Sequence, residues 1–351
     1  RRPNAGAFSK INPLHFRATH PFPKALILLS LSTDFPTPSP VSGKLRLALG
    51  CMGLSGTWNP SELGASQEKR AIASFEAALI SGITLFDHAD IYGQGTCEAV
   101  FKKCLEAFPE ARESIQIWTK TGIKNGFYDL SPESISAGIE ASRRRMGIDC
   151  IDLFQLHRPD PLAHPAQSAR ALNAALGNGH IRAVGVSNYF PRQMEALQKY
   201  LDAPLVSNQI PLNILKVAPF YEGWETPRYD GPSASHGVVG DGTLDFCMAQ
   251  NIVPLAYSPL SKAKLSRADD DENGGRESDV QEILGELSQK YDATRTQIAL
   301  AWLLTHSSGI VPVVGSNNPA HIFEAAQRND LRLEREDWYR LWTASWGRNV
   351  P

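Results

Sequence analysis

No charge of one sign dominates this chain, and that absence is the first constraint on what it does. Its 35 Lys and Arg meet 37 Asp and Glu, leaving a formal net charge of −2. A nucleic-acid partner calls for a basic stripe, so none is expected. Cysteine is sparse: Cys51, Cys97, Cys104, Cys150 and Cys247 are scattered, with no CxxC pair and no zinc-like His spacing. They read as reduced thiols in a reducing compartment, and no metal site is expected. No run reaches the ~18–20 apolar residues that span a bilayer, which points to a soluble, cytoplasmic protein with no membrane partner.

What is present divides in two. Residues 1–44 set Arg1, Arg2, Lys10, Arg17, Lys24 and Lys44 against one acid, Asp34, and end in a Pro-rich stretch. A short apolar run, ALILLSLS (25–32), sits inside. The segment reads either as an organelle-targeting or secretory leader or as a disordered extension, and it is set aside from the fold. Residues 45–351 carry the domain.

From residue 45 onward, apolar strand-like runs alternate with segments of helical period. The runs are LRLALG (45–50), ITLFDHA (83–89), IQIWTKTG (115–122), CIDLFQLH (150–157), IRAVGVSN (181–188), APLVSNQI (203–210), IVPLAYSP (252–259) and GIVPVVGS (309–316). Strands apolar on both faces are buried parallel strands, and the intervening segments repeat at 3.6 residues. Ser131 and Pro132 offer an N-cap followed by Pro at the first helical position. Eight such units predict an α/β fold, a single-domain (β/α)8 TIM barrel.

Two loops break the rhythm, 217–243 and 261–277. Both follow the C-terminal end of a strand, the face on which barrel sites sit, so they are expected to serve substrate and cofactor. The acidic turn 269–272 reads equally as solvated surface. Phe220, Tyr221, Trp224 and Tyr229 suggest a hydrophobic or aromatic carbonyl substrate or, equally, packing within the loop. The tail after the eighth strand spaces its aromatics as a helix does, and Trp338 and Trp342 are expected to pack against the barrel.

Polar residues gather where strands end. Asp87 closes the second strand with Tyr92 five residues on, Lys120 closes the third and His157 the fourth. Charge in an apolar strand is costly unless paired or used. Singly these residues read as a cap, a packing ring, a solvated end and a core histidine. As a set, ending three neighbouring strands, they read as one pocket.

In order and spacing this set resembles the Asp-Tyr-Lys-His tetrad of the aldo-keto reductase superfamily, from about residue 44 to the C-terminus. HADIYG, HRPDPL and GVSNY strengthen the likeness, above all to a bacterial branch of monomeric oxidoreductases. The resemblance implies NAD(P)H-dependent reduction of aldehydes or ketones, and the reverse oxidation, by hydride transfer. Tyr92 is then the general acid, with its pKa lowered by Lys120 held beside Asp87, and His157 orients the carbonyl. It further implies that Ser187, Asn188 and Gln209 grip the nicotinamide carboxamide and that Tyr257 stacks on the ring. Ser258, Pro259 and Leu260 then approach the pyrophosphate, and Ser316, Asn317, His321 and Glu324 meet the adenosine end. Trp58 becomes a wall of the carbonyl pocket.

The sequence departs from the family pattern at that adenosine end. GSNNPAHIFEAA has Asn317, Asn318 and His321 where Lys or Arg is commoner. NADP(H) is the expected cofactor, with NAD(H) the alternative. Two other classes stand beside the enzyme reading: a cofactor-holding redox-sensing subunit, told apart by a co-purifying partner, and a lyase using Lys120 as a Schiff-base nucleophile, told apart by borohydride trapping. No helix shows an exposed heptad seam, so a monomer acting on a small-molecule carbonyl compound is expected.

Overall fold

The computed structural model describes residues 45–220, 242–267 and 275–347. The readings placed on 1–44, on Tyr221, Trp224 and Tyr229, and on 269–272 fall outside the described residues. All eight expected strands form, each shorter than its apolar run, because only part of each run pairs with neighbours on both sides. β1 (Ala48–Gly50) leads to α1 (Ala65–Ile80), and β2 (Leu85–Asp87) to α2 (Thr96–Ala107). β3 (Gln116–Thr121) leads to α3 (Pro132–Met146), and β4 (Leu153–Leu156) to α4 (Pro165–Gly177). β5 (Val184–Ser187), α5 (Pro191–Gln198), β6 (Leu205–Pro211) and α6 (Thr243–Ala249) continue the alternation. Two helices, α7 (Arg276–Lys290) and α8 (Arg295–Thr305), separate β7 (Val253–Tyr257) from β8 (Val311–Val314). α9 (Pro319–Ala326) and α10 (Arg335–Trp346) follow.

The strands pair in parallel and in chain order, and β1 closes on β8 to complete a barrel. The expected start of α3 is realised: the Ser131 hydroxyl accepts from the Ser134 N–H at 3.3 Å, with Pro132 at the first helical position. All five cysteines are free thiols, four of them buried. No helix among the described residues is long and apolar enough to cross a membrane.

The tail helix packs as its aromatic spacing predicted. Trp338 on α10 stacks on Trp302 of α8 with centroids 5.0 Å apart and rings 7° from parallel. Each indole N–H donates to the other's backbone carbonyl, at 3.1 and 2.9 Å. Phe220, expected in a substrate loop, meets Trp302 and Trp338 edge-on instead, at 5.1 and 5.6 Å. Phe220 thus packs against α8 and α10, which is neither the substrate contact nor the packing within its own loop that the sequence suggested.

Inside the barrel the walls come close. Gly185 on β5 faces Gln155 and Ser207 on its two neighbours, and a Cβ there would lie 2.2 Å from Ser207 Oγ and 3.2 Å from Gln155 Cγ. Gly185→Ala is therefore expected to destabilise the barrel by about 1–3 kcal/mol, the usual cost of overpacking. Chemical denaturation of the variant checks this, and an unchanged midpoint would show that β5 can shift to make room.

Candidate active site

Asp87 is the last residue of β2, Lys120 the penultimate residue of β3, and His157 the first beyond β4. Parallel strands bring these ends to one face. Lys120 is fully buried, and its Nζ donates to Asp87 Oδ1 at 2.6 Å and to the His88 carbonyl at 2.7 Å. Gln209 on β6 donates from Nε2 to the same Asp87 oxygen at 2.9 Å. β2 and β6 lie on opposite sides of the closed barrel, so this bond crosses its interior.

Tyr92 stands over the pair in a tight turn, Tyr92–Gly95. The turn is pinned to β3, because the Asp90 N–H donates to the Lys120 carbonyl at 2.9 Å and the Thr121 hydroxyl donates to Asp90 Oδ2 at 2.5 Å. Gly93 takes φ 55°, and a Cβ there would fall 2.2 Å from Thr96 Oγ1, so glycine is required. The Lys120 ammonium lies 5.3 Å from the Tyr92 ring centroid, and His157 meets that ring edge-on at 6.1 Å. The four residues named from sequence are thus brought together.

The electrostatics differ from the expectation at one point. The Tyr92 phenol is not lowered; burial pushes it well above its usual 10, and the Asp87 carboxylate adds to that rise. The physical reason is that Asp87 offsets the Lys120 charge within the site, leaving desolvation to dominate. His157 is driven well below its usual 6.5 by burial, then by Lys120 and Arg158, so it is neutral at pH 7. Its Nδ1 is buried with no hydrogen-bond partner. His88, fully buried against Phe101 with neither ring nitrogen paired, is depressed to about 3. It serves the site through its backbone carbonyl.

A second group of polar side chains continues from β5 to β7. Ser187 donates its hydroxyl to the Gln209 carbonyl at 2.9 Å and accepts from Asn188 Nδ2 at 2.8 Å. Asn188, at φ 62°, in turn accepts the Tyr257 phenol at 3.1 Å. This amide and hydroxyl edge has both donors and acceptors, which is what a carboxamide needs. Ser258 is exposed in a left-handed turn at φ 53°, while Pro259 is buried and Leu260 half-buried. The chain then takes positive φ at Ser261, Lys262 and Ala263 in succession. Such turns gather backbone N–H groups, and Lys262 adds an exposed cation that forms no ion pair among the described residues.

The segment after β8 is committed largely to itself. Ser316 Oγ accepts from the Asn318 N–H at 3.2 Å, and Asn318 Oδ1 caps the Ala320 N–H at 3.0 Å. Asn317 donates from Nδ2 to the Gly53 carbonyl at 3.2 Å, and Asn318 contacts the exposed His321 ring at 3.4 Å. Glu324 is half-buried on α9, where its carbonyl accepts from Gln297 Nε2 at 3.2 Å. Trp58 is exposed beyond β1, with its carbonyl accepting from Gln94 Nε2 at 3.1 Å.

Sequence reasoning missed Arg158 and Lys262. Arg158 follows His157 directly and lowers its pKa, and it also stabilises the Tyr257 phenolate form. It is half-buried and has no acidic partner among the described residues. Its place in HRPD, beside a residue already singled out, was the available signal. Among the described residues, no group of three His, Cys, Asp or Glu could hold a metal ion.

The sequence profile of the aldo/keto reductase family matches residues 46–344. The chain is 34% identical to the 6-dehydroglucose reductase of Novosphingobium aromaticivorans over 303 residues, covering 84% of this chain and 92% of that one. It is 32% identical over 308 residues to the uncharacterized oxidoreductase YcsN of Bacillus subtilis, covering 85% and 95%. Among solved structures, an aldo/keto reductase from Klebsiella pneumoniae in complex with NADP and acetate superposes with a TM-score of 0.64 at 21% identity. That match covers 84% of this chain and 89% of the other.

Proposed function

The chain belongs to the aldo/keto reductase family, and on that premise we propose that it reduces aldehydes or ketones to alcohols with NADPH or NADH, and runs the reverse oxidation. The observation that carries this reading is the buried Lys120–Asp87 pair, at 2.6 Å, beneath Tyr92 and beside a neutral His157. When bound, the reduced nicotinamide supplies a hydride to the carbonyl carbon. Negative charge then develops on the carbonyl oxygen, and Tyr92 gives it a proton from Oη. A raised pKa suits a donor, since the phenol is protonated throughout neutral pH. Lys120 acts after the transfer, its ammonium stabilising the phenolate that remains. His157, neutral, donates a hydrogen bond to the carbonyl oxygen and fixes its direction.

The donor and acceptor edge of Ser187, Asn188 and Gln209 suits the carboxamide, and Tyr257 offers a flat face to the nicotinamide ring. Ser258, Pro259, Leu260 and Lys262 suit the pyrophosphate. Ser316, Asn317, His321 and Glu324 are assigned to the adenosine end, which has hydroxyl, amide and imidazole groups where a 2′-phosphate would favour a guanidinium. The family resemblance favours NADP(H), as does the NADP bound by the aldo/keto reductase from Klebsiella pneumoniae, and the missing guanidinium admits NAD(H) beside it. Lys120, engaged by Asp87 and the His88 carbonyl, is poorly placed to attack as a Schiff-base nucleophile.

Titration with NADPH and NADH, followed by tryptophan fluorescence, tests the reading. Both are expected to bind, and binding of neither would overturn it. Asn317→Arg is expected to tighten NADPH by about tenfold with NADH little changed, the effect of one charge-assisted hydrogen bond. Equal tightening of both would remove Asn317 from the 2′-phosphate position.

A further inference from the structure

An open cleft of about 450 Å3 lies between α3 and the chain that leads into the Tyr92 turn. Asp90 and Ile91 line one side of it, Ile123 and Lys124 enter just beyond β3, and α3 supplies the side opposite. The helix is small there. Gly138 and Ala141 face the cleft, and at Gly138 a Cβ would fall 2.6 Å from Thr121 Oγ1, the hydroxyl that holds Asp90. The volume is that of a small-ligand pocket. None of the residues assigned to carbonyl chemistry or to the nicotinamide cofactor lines it.

Its charges are arranged in depth. Lys124 is half-buried; its backbone N–H donates to the Phe127 carbonyl at 2.9 Å, and its ammonium forms no ion pair among the described residues. Arg145 on α3 also lines the cleft. It gives Nε and Nη2 to Glu98 at 2.6 Å and Nη2 to the Ser142 hydroxyl at 3.3 Å, which leaves Nη1 without a partner among the described residues. The two nearby carboxylates lie one layer back. The Glu98 side chain is fully buried where that of Arg145 is 29% exposed, and Asp90 Oδ1 is buried with no hydrogen-bond partner while Oδ2 takes the Thr121 hydroxyl. Burial pushes the Asp90 carboxyl above its usual range, and Lys124 and Arg145 both pull against that rise, so the two cations lie within range of one carboxyl. A molecule entering the cleft meets the cations before the carboxylates, and the nearer charges dominate.

We propose that this cleft is a second ligand site and binds a small organic carboxylate, with its anionic end on Lys124 and Arg145 Nη1 and its apolar body against Ile91, Ile123 and Ala141. A half-buried ammonium without a counter-ion is costly, and a charge-assisted hydrogen bond relieves that cost. The Ile and Ala side chains give a ring or alkyl group apolar area to cover, which a bare inorganic anion would leave in water. The cleft stands apart from the Lys120–Asp87 pair, so the proposal does not depend on carbonyl reduction. Asp90 is bound to the Lys120 carbonyl and the Thr121 hydroxyl of β3, so an occupant bears on the segment that fixes the Tyr92 turn.

The test is a fluorine NMR titration of the full chain with 4-fluorobenzoate, with 4-fluorobenzamide as the neutral isostere and inorganic phosphate as the anion without an apolar body. A Kd on the order of 1 mM is expected for 4-fluorobenzoate, given its few heavy atoms. The amide, lacking the charge, and phosphate, lacking the ring, should each bind at least about fivefold more weakly. Lys124→Gln should weaken 4-fluorobenzoate about tenfold, the loss of one charge-assisted hydrogen bond. Ala141→Leu keeps a good helix former and fills the cleft, so it should abolish binding. Lys124→Gln removes a side chain that forms no ion pair, so it decides the matter even if Ala141→Leu fails to fold. Tyr92→Phe should leave the Kd unchanged. Wild-type affinity in Lys124→Gln, equal affinity for the amide, or tighter binding of phosphate would overturn the proposal. So would no binding up to about 50 mM, where a millimolar ligand saturates its site. Binding lost in Tyr92→Phe but kept in Ala141→Leu would also overturn it, placing the carboxylate in the catalytic pocket.

Discussion

Tyr92→Phe is expected to lower kcat for carbonyl reduction by roughly a thousandfold, the usual contribution of a positioned general acid. It should leave the dissociation constant for NADPH or NADH within about two-fold of wild type. The substitution removes one hydroxyl and keeps the ring that His157 meets edge-on and Lys120 approaches at 5.3 Å. The pH profile of the wild type carries the same argument. Burial and Asp87 hold the Tyr92 phenol well above 10, so the donor form is present at every lower pH and is lost only as pH rises through that raised value. His157, depressed well below 6.5, stays neutral until acid pH. Reduction should therefore show a plateau from about pH 6 to about pH 9, with no inflection near the ordinary histidine value. Single-turnover measurements across that range decide the matter. A loss under tenfold for Tyr92→Phe would place the proton donor elsewhere, and a histidine-like inflection would mean that His157 changes charge during the reaction.

Much of this was legible in the sequence, for reasons that can be named. A buried parallel strand is apolar on both faces, so each barrel strand stood out as an apolar run, and eight runs left little choice of architecture. Asp87, Lys120 and His157 were conspicuous because each ends such a run. That signal has a limit, which Asp152 illustrates. It too lies in an apolar segment, yet Arg112 at 3.0 Å and Arg182 at 2.9 Å hold it just before β4, at the opposite end of the strand from His157. Glu98 is likewise fully buried on α2, against Arg145 and Thr119, both at 2.6 Å. Only tertiary partners separate these structural carboxylates from the one beneath Tyr92.

The direction of the Tyr92 shift was not legible either. It depends on how far Asp87 offsets Lys120 and how much water the turn excludes, and both are properties of the assembled barrel. Arg158 and Lys262 escaped notice for a related reason. Long cationic side chains occur on every surface, and spacing does not reveal which of them lack an acid.

The largest effect on stability should come from dividing the Lys120–Asp87 pair. Asp87→Leu leaves a fully buried ammonium with no carboxylate, hydrogen-bonded to the His88 carbonyl and beside the Tyr92 ring, and also strips Gln209 Nε2 of its acceptor. Breaking a buried pair by removing one partner costs about 3–5 kcal/mol, which for a chain of this size is a fall of roughly 10 °C in Tm. Removing both charges is different, because the desolvation cost of the ions goes with their attraction. The double variant Asp87→Leu, Lys120→Met should recover most of that stability, to within about 1 kcal/mol of wild type. Its reductase activity should nevertheless remain lost, since no cation is left to stabilise the Tyr92 phenolate. Thermal unfolding and single-turnover rates on the same three proteins read the two quantities side by side. Recovery of stability without recovery of rate would mean that the pair is kept for its chemistry. If the double variant were as unstable as Asp87→Leu alone, the pair would instead be part of what holds β2 and β3 together, and activity lost in either variant could not be assigned to the missing charge.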